Sequence, residues 1–260
     1  MPRLSVDIDL VYVPIEDRKT SLTKANDALS KIVESLTSVS PRYDARLLNN
    51  QFRIIVNGGG FQVKIEMSPV LRGTVHTPGS MDLHPVVQEE FGFASMPVAS
   101  VPDLYGGKIC AALDRQHPRD IYDIMQLVCG QGITRDIFEG FLVYLISHSR
   151  PISELLDPKI QDMEQAFENL FAGMTKDPID IRDLKQARKN LIKTVQESLT
   201  DDDKKFLMSV KSRAPDWSLL KLKGIEQLPA VQWKLENLGR MSTRQHEKAL
   251  KKLQKTLGLT

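Results

Sequence analysis

The chain has 260 residues, 41% of them hydrophobic and 26% charged, with a formal net charge of +2. That composition excludes a disordered or fibrous protein, and the length allows one or two cored domains. No apolar run approaches the ~18 residues of a membrane span, and the start carries no secretory pattern. The cysteines, Cys110 and Cys129, have no metal-site spacing and read as buried reduced thiols in a cytoplasmic protein. Charge is divided unevenly: residues 1–130 hold 13 basic and 15 acidic side chains, residues 131–260 hold 22 and 18. The last forty residues carry nine basic and three acidic groups, which suits either a phosphate-rich acceptor or a solvated lysine face.

Residues 3–13 alternate with period two and predict a strand, with Val6, Ile8, Leu10 and Tyr12 on one face and Ser5, Asp7 and Asp9 on the other. A helix follows over 21–36, with Leu22, Ala25, Leu29, Ile32, Val33 and Leu36 as its apolar stripe. Strands at 52–56 and 61–67 flank Asn57 and three glycines. No helix follows the glycines, so they read as a hairpin turn and not as a phosphate loop. The second of these strands puts Lys64 and Glu66 on its polar face. Residues 68–100 carry the weakest pattern, with 86–93 and 94–99 as a further strand or turn, and His76 and His84 read as solvated.

Pro102 and Asp103 open a helix to about residue 116, with Lys108 and Arg115 on one side. His117 and Pro118 break it. The next helix, 119–129, sets Asp120 and Asp123 on one face, and Tyr122 is either packed between helices or available to stack on a base. Beyond Thr134 every periodic segment is helical: 137–147, 153–171, 181–199, 202–212, and 231–257 with a break near Gly239. The prolines at the joins fit a bundle. The three acids 201–203 follow Thr200 and read as a helix cap.

Two carboxylates at i and i+2 on a strand have Cα atoms roughly 6–7 Å apart. They can reach a pair of divalent cations about 3.5–4 Å apart, the geometry of two-metal phosphoryl transfer. A bare D-x-D motif is equally a surface strand with two solvated aspartates. A third carboxylate on a neighbouring strand, Glu66, makes a constellation: two acids hold metal while the third helps and accepts the acceptor hydroxyl's proton.

With these residues in view, the sequence resembles the AbiEii toxin family of nucleotidyltransferases, within the polymerase-β-like superfamily. The resemblance rests on Arg3, Ser5, Asp7, Ile8, Asp9 and Leu10, on Lys64 to Glu66, on Lys108 to Arg115, and above all on Arg119, Asp120 and Asp123. The segments 214–217 and 229–235 look like a C-terminal signature of one branch. It implies an α+β fold: a mixed-sheet nucleotidyltransferase core with flanking helices over 1–130, then a C-terminal helical bundle over 131–260. It implies catalytic Asp7, Asp9, Glu66 and Asp123, metal (Mg²⁺ or Mn²⁺) on Asp7, Asp9 and Glu66, and substrate contacts from Ser5, Lys64, Lys108, Arg115, Arg119 and Asp120. A nucleoside triphosphate would be the donor and RNA, such as tRNA, the acceptor. The setting would be toxin–antitoxin or phage defence, with a cognate antitoxin. The Gly-Gly or Gly-Ser loop that precedes the paired acids in the superfamily is absent after Met1, so either the true start lies upstream or the chain is a shortened relative. The alternative is a catalytically degenerate relative that binds RNA or a partner.

Overall fold

The computed structural model describes residues 3–5, 7–40, 42–48 and 51–259, and Val6 of the first strand lies outside them. Two compact units emerge, one of residues 3–73 with 227–230, the other of 74–226 with 231–260. Among the described residues the architecture is α+β, with a mixed four-stranded sheet, a two-stranded ribbon and eleven α-helices.

In the first unit the strands are β1 (Asp7–Leu10), β2 (Asp44–Leu48), β3 (Arg53–Gly58) and β4 (Phe61–Met67), in the order β1-β4-β3-β2. β1 runs parallel to β4, and the other pairs are antiparallel. Alternation drives the packing: Ile54 and Val56 of β3 and Ile65 of β4 point to one face, where they meet Leu29 of α1 (Arg18–Val39). Asp17 caps α1, its Oδ1 accepting from Thr20 N at 3.0 Å, so the helix starts earlier than the apolar stripe indicates. The hairpin turn is as expected. Gly59 (φ +53°) and Gly60 (φ +90°) take the positive angles of a two-residue turn that glycine adopts without steric cost.

Two expectations fail here. The first strand is four residues long instead of eleven, and Ile8 is 47% exposed, because β1 is an edge strand while α1 packs over β2 and β3. β2 was not foreseen. Its Ala45 and Leu47 do alternate with Asp44 and Arg46, but alanine is a weak strand former.

The second unit begins with the ribbon β5 (Gly79–Asp82) and β6 (Ser95–Val98), joined through α2 (Pro85–Phe91). The weakly patterned stretch is thus a helix at 85–91 and a strand at 95–98. Next come α3 (Val101–Arg115), α4 (Pro118–Cys129), α5 (Arg135–Ser147), α6 (Ile152–Leu156), α7 (Glu164–Leu170), α8 (Ile181–Glu197), α9 (Asp201–Lys211), α10 (Pro229–Arg240) and α11 (Thr243–Thr256). Within this unit α3 packs on α5 and α4 on α8.

The single helix expected over 153–171 is two short ones. Pro158 supplies no N–H to continue α6. The extended backbone beyond it is held instead by buried Gln116, whose Nε2 donates to Lys159 O (2.8 Å) and whose Oε1 accepts from Gln161 N (3.1 Å) and from Arg188 Nη1 (3.1 Å). Thr200 and Asp203 form a capping box at α9, as the acid run implied. Cys110 is buried, but Cys129 is exposed at the end of α4, against expectation. No helix among the described residues is long and apolar enough to cross a membrane.

Candidate active site

Parallel pairing of β1 with β4 sets Asp7 beside Lys64 and Asp9 beside Glu66. Registered residues of a parallel pair point to the same face, with strands about 4.8 Å apart. Asp7, Asp9, Lys64 and Glu66 therefore share one face of the sheet, opposite to the face that carries Ile65 into the core. Their charges are matched within that face. Lys64 Nζ lies 3.0 Å from Asp7 Oδ1, and Arg53 Nε lies 2.7 Å from Glu66 Oε1. Asp9 is exposed. Ser5 Oγ donates to Asp7 O over 3.4 Å, a weak contact that leaves the hydroxyl near the strand.

Among the described residues no group of three or more His, Cys, Asp or Glu is placed to hold a metal ion. Only the chemical type of the side chains is that of a hard-cation site. Three carboxylates on adjacent strand positions are the hard oxygen ligands that Mg²⁺ and Mn²⁺ take, and two side-chain cations already balance them.

The other site candidates lie in the second unit, in pairs. Lys108 of α3 donates to Asp123 of α4, whose carboxylate is 2% exposed. Arg115 Nη2 donates to Asp120 Oδ1 at 2.9 Å. Both pairs bridge α3 and α4 across the break at His117 and Pro118. His117 caps α4 by accepting from Arg119 N at 3.2 Å, so the half-buried Arg119 is fixed at the helix start. Tyr122 is packed between helices, its ring 5.5 Å from that of Phe171.

Two groups were missed. Arg53 was readable: a two-residue turn at 59–60 pairs 53 with 66, which sets the arginine opposite Glu66. In the sequence Asp103 shows only as a first-turn residue of its helix. It is buried and accepts from Val75 N (2.7 Å), His76 N (3.0 Å), Ser100 Oγ (2.7 Å) and Tyr144 OH (3.1 Å). Burial and this carboxylate push the Tyr144 phenol far up. His76 Nδ1 stands 3.4 Å from the same carboxylate, so His76 is not the solvated side chain expected.

The family model described as "Nucleotidyl transferase AbiEii toxin, Type IV TA system" matches residues 1–237. No curated protein matches the chain. Among solved structures it is similar to MenT4, a nucleotidyltransferase toxin from Mycobacterium tuberculosis H37Rv, with a TM-score of 0.57 at 12% identity, covering 91% of this chain and 78% of that one. At that identity the likeness shows the fold.

Proposed function

The chain belongs to the AbiEii family of nucleotidyltransferase toxins, and from that premise we propose that it moves a nucleoside monophosphate from a nucleoside triphosphate to a hydroxyl of an RNA acceptor, with Asp7, Asp9 and Glu66 as its metal-binding acids. One observation carries the reading: the register Asp7↔Lys64 and Asp9↔Glu66 on a single sheet face. Bound Mg²⁺ or Mn²⁺ would draw charge from the α-phosphate and lower the pKa of the attacking hydroxyl. The acceptor oxygen forms a bond to the α-phosphorus, the bond to the β-phosphate breaks, and pyrophosphate leaves. Glu66 is the group suited to receive the hydroxyl proton.

Lys64 and Arg53 hold the acids apart from one another in the absence of substrate, which limits like-charge repulsion. Lys108 is assigned to the triphosphate, with Asp123 fixing its ammonium and so acting as a positioning residue. Arg115, Arg119 and Asp120 are assigned to substrate binding, and Ser5 to the nucleotide. Membership of the toxin family also implies an antitoxin partner. A second reading, RNA or partner binding without catalysis, draws support from the closed ion pairs on the acid face.

One assay separates the two. Protein is incubated with α-labelled nucleoside triphosphates, Mg²⁺ and total RNA. Wild type transfers label to RNA, and Asp9→Asn loses roughly 10³-fold or more, about 4 kcal/mol of transition-state stabilisation, with an unchanged circular dichroism spectrum. Transfer by Asp9→Asn at the wild-type rate would remove the acids from the chemistry. No transfer by wild type to any RNA favours the binding reading.

A further inference from the structure

In the helical unit a cleft of about 600 Å³ opens between the end of α6, the end of α8, the start of α9 and the end of α11. Its walls carry Lys204, Lys252 and Lys255, and Leu156, Leu199 and Leu257 supply apolar surface. Asp157 is the one carboxylate lining it. Lys252 shares Glu154 at 3.0 Å, while Lys204 and Lys255 form no ion pair among the described residues. Lys204 is notable by position. It sits in the first turn of α9, where the helix dipole disfavours a cation, and it is only partly exposed. The ammonium groups of Lys204 and Lys255 have no ion-pair partner among the described residues, and an anion in the cavity would offset their charge.

The charge continues beyond the cleft. Arg244, Lys248, Lys251 and Lys255 fall at i, i+4, i+7 and i+11 of α11, one face of the helix about 16 Å long. All four are exposed and make no ion pair among the described residues, so a row of unneutralised cations leads into the cavity. A single phosphate would occupy the cleft and leave the row unused. A polymer of phosphates uses both. The row and two of the three cleft lysines lie beyond residue 237, outside the segment matched by the family model, and Lys204 lies within it.

We propose that the cleft and the α11 row bind the phosphodiester backbone of the RNA acceptor. This rests on the RNA acceptor of the function proposed above. The test uses the full chain and labelled total tRNA, with binding read by fluorescence anisotropy between about 50 and 200 mM salt. The variant K204E/K252E/K255E is compared with a charge-matched control, K176E/K221E/K223E, whose lysines are exposed and do not line the cleft.

The cleft variant is expected to lose at least about tenfold in affinity and to flatten the log–log salt slope by about 2, three phosphates at roughly 0.7 each. The control stays within about threefold of wild type, and K204Q/K252Q/K255Q, which only removes charge, flattens the slope as well. Thermal unfolding confirms that each variant folds. Equal loss in the control, no loss in the cleft variant, or binding of inorganic tripolyphosphate in the cleft without any cleft-dependent RNA binding each overturns the proposal. Label transfer separates it from the catalytic reading. Cleft-dependent RNA binding without transfer by wild type sinks the catalysis alone, and undiminished RNA binding by the cleft variant sinks the cleft alone.

Discussion

The two units handle charge in opposite ways. The sheet unit displays its acids: Asp7 and Glu66 keep side-chain exposures of 24% and 33%, and their partners Lys64 and Arg53 are each 39% exposed. The helical unit also carries acids on its surface, but four of them, Asp103, Asp123, Glu139 and Asp203, are nearly closed to solvent. A half-exposed ion pair costs little to break, because water and salt replace most of the lost attraction. A buried one resists exchange, since either partner left alone is a desolvated charge. The pairs on the β1–β4 face are of the first kind. The second kind holds helices in register.

The sharpest contrast comes from two aspartates. Asp203 accepts from Arg135 in a bidentate pair (2.7 and 2.6 Å) and from Thr200 N at 2.9 Å, while Arg135 also reaches Glu139 at 3.0 Å. Burial alone would raise the Asp203 carboxyl, but the Arg135 and Thr200 bonds outweigh it and hold it below the usual range. Its stabilisation is therefore complete above the unfolded value near 4 and is lost only as pH falls through the lower folded one. Asp203→Ala should cost about 3 kcal/mol in urea unfolding at neutral pH, because the bidentate Arg135 pair and the bond from Thr200 N are both lost and Arg135 keeps Glu139 alone. Asp9→Asn should cost less than about 0.5 kcal/mol, as an exposed position does. Similar losses from the two would erase the distinction between the units.

A smaller effect is expected where no charge is involved. α3 and α5 approach so closely at Gly106 that an added Cβ would stand 2.8 Å from Gly140 C and from Phe141 N. At Gly140 it would stand 2.7 Å from Pro102 O. These are backbone atoms in packed helices and cannot turn aside. Gly106→Ala should destabilise by about 1–3 kcal/mol through overpacking, and displacement of α3 would carry Lys108 with it. Unfolding at the wild-type midpoint would mean that the helices can part without cost.

How far the sequence revealed all this depends on the range of each interaction. Short-range signals were legible: the Gly59-Gly60 turn, the Thr200 cap and the break at Pro118 are decided within a few residues. The acids on β1 and β4 were paired correctly in type, but the offset that sets Asp9 beside Glu66 is a parallel, non-local choice that no local pattern fixes. The split of 153–171 escaped for the same reason. Pro158 was visible in the chain, yet the extended segment depends on Gln116 and Arg188, which come from distant elements. Nothing local marks Gly106 and Gly140, because their meaning lies in a neighbour on another helix.

The smallest effect tests a buried cation. Lys234 Nζ donates to the carbonyls of His148 (2.5 Å) and Arg150 (2.9 Å) beyond the end of α5. Burial pushes its ammonium down to about 8, helped by Lys211. A lysine in the unfolded chain titrates near 10.4, so between those values the unfolded state binds more protons and stability rises with pH. Below about 8 the penalty for burying charge is present in full, and above about 10 it is gone. The gap in unfolding free energy between wild type and Lys234→Met should therefore move in favour of wild type by on the order of 1 kcal/mol from pH 7 to 9.5. The bonds to the two carbonyls are lost at both pH values in the variant and cancel from that difference. A flat gap would mean that the carbonyls stabilise the ammonium enough to offset its desolvation, making Lys234 resemble the half-exposed lysine of the sheet unit more than a buried charge.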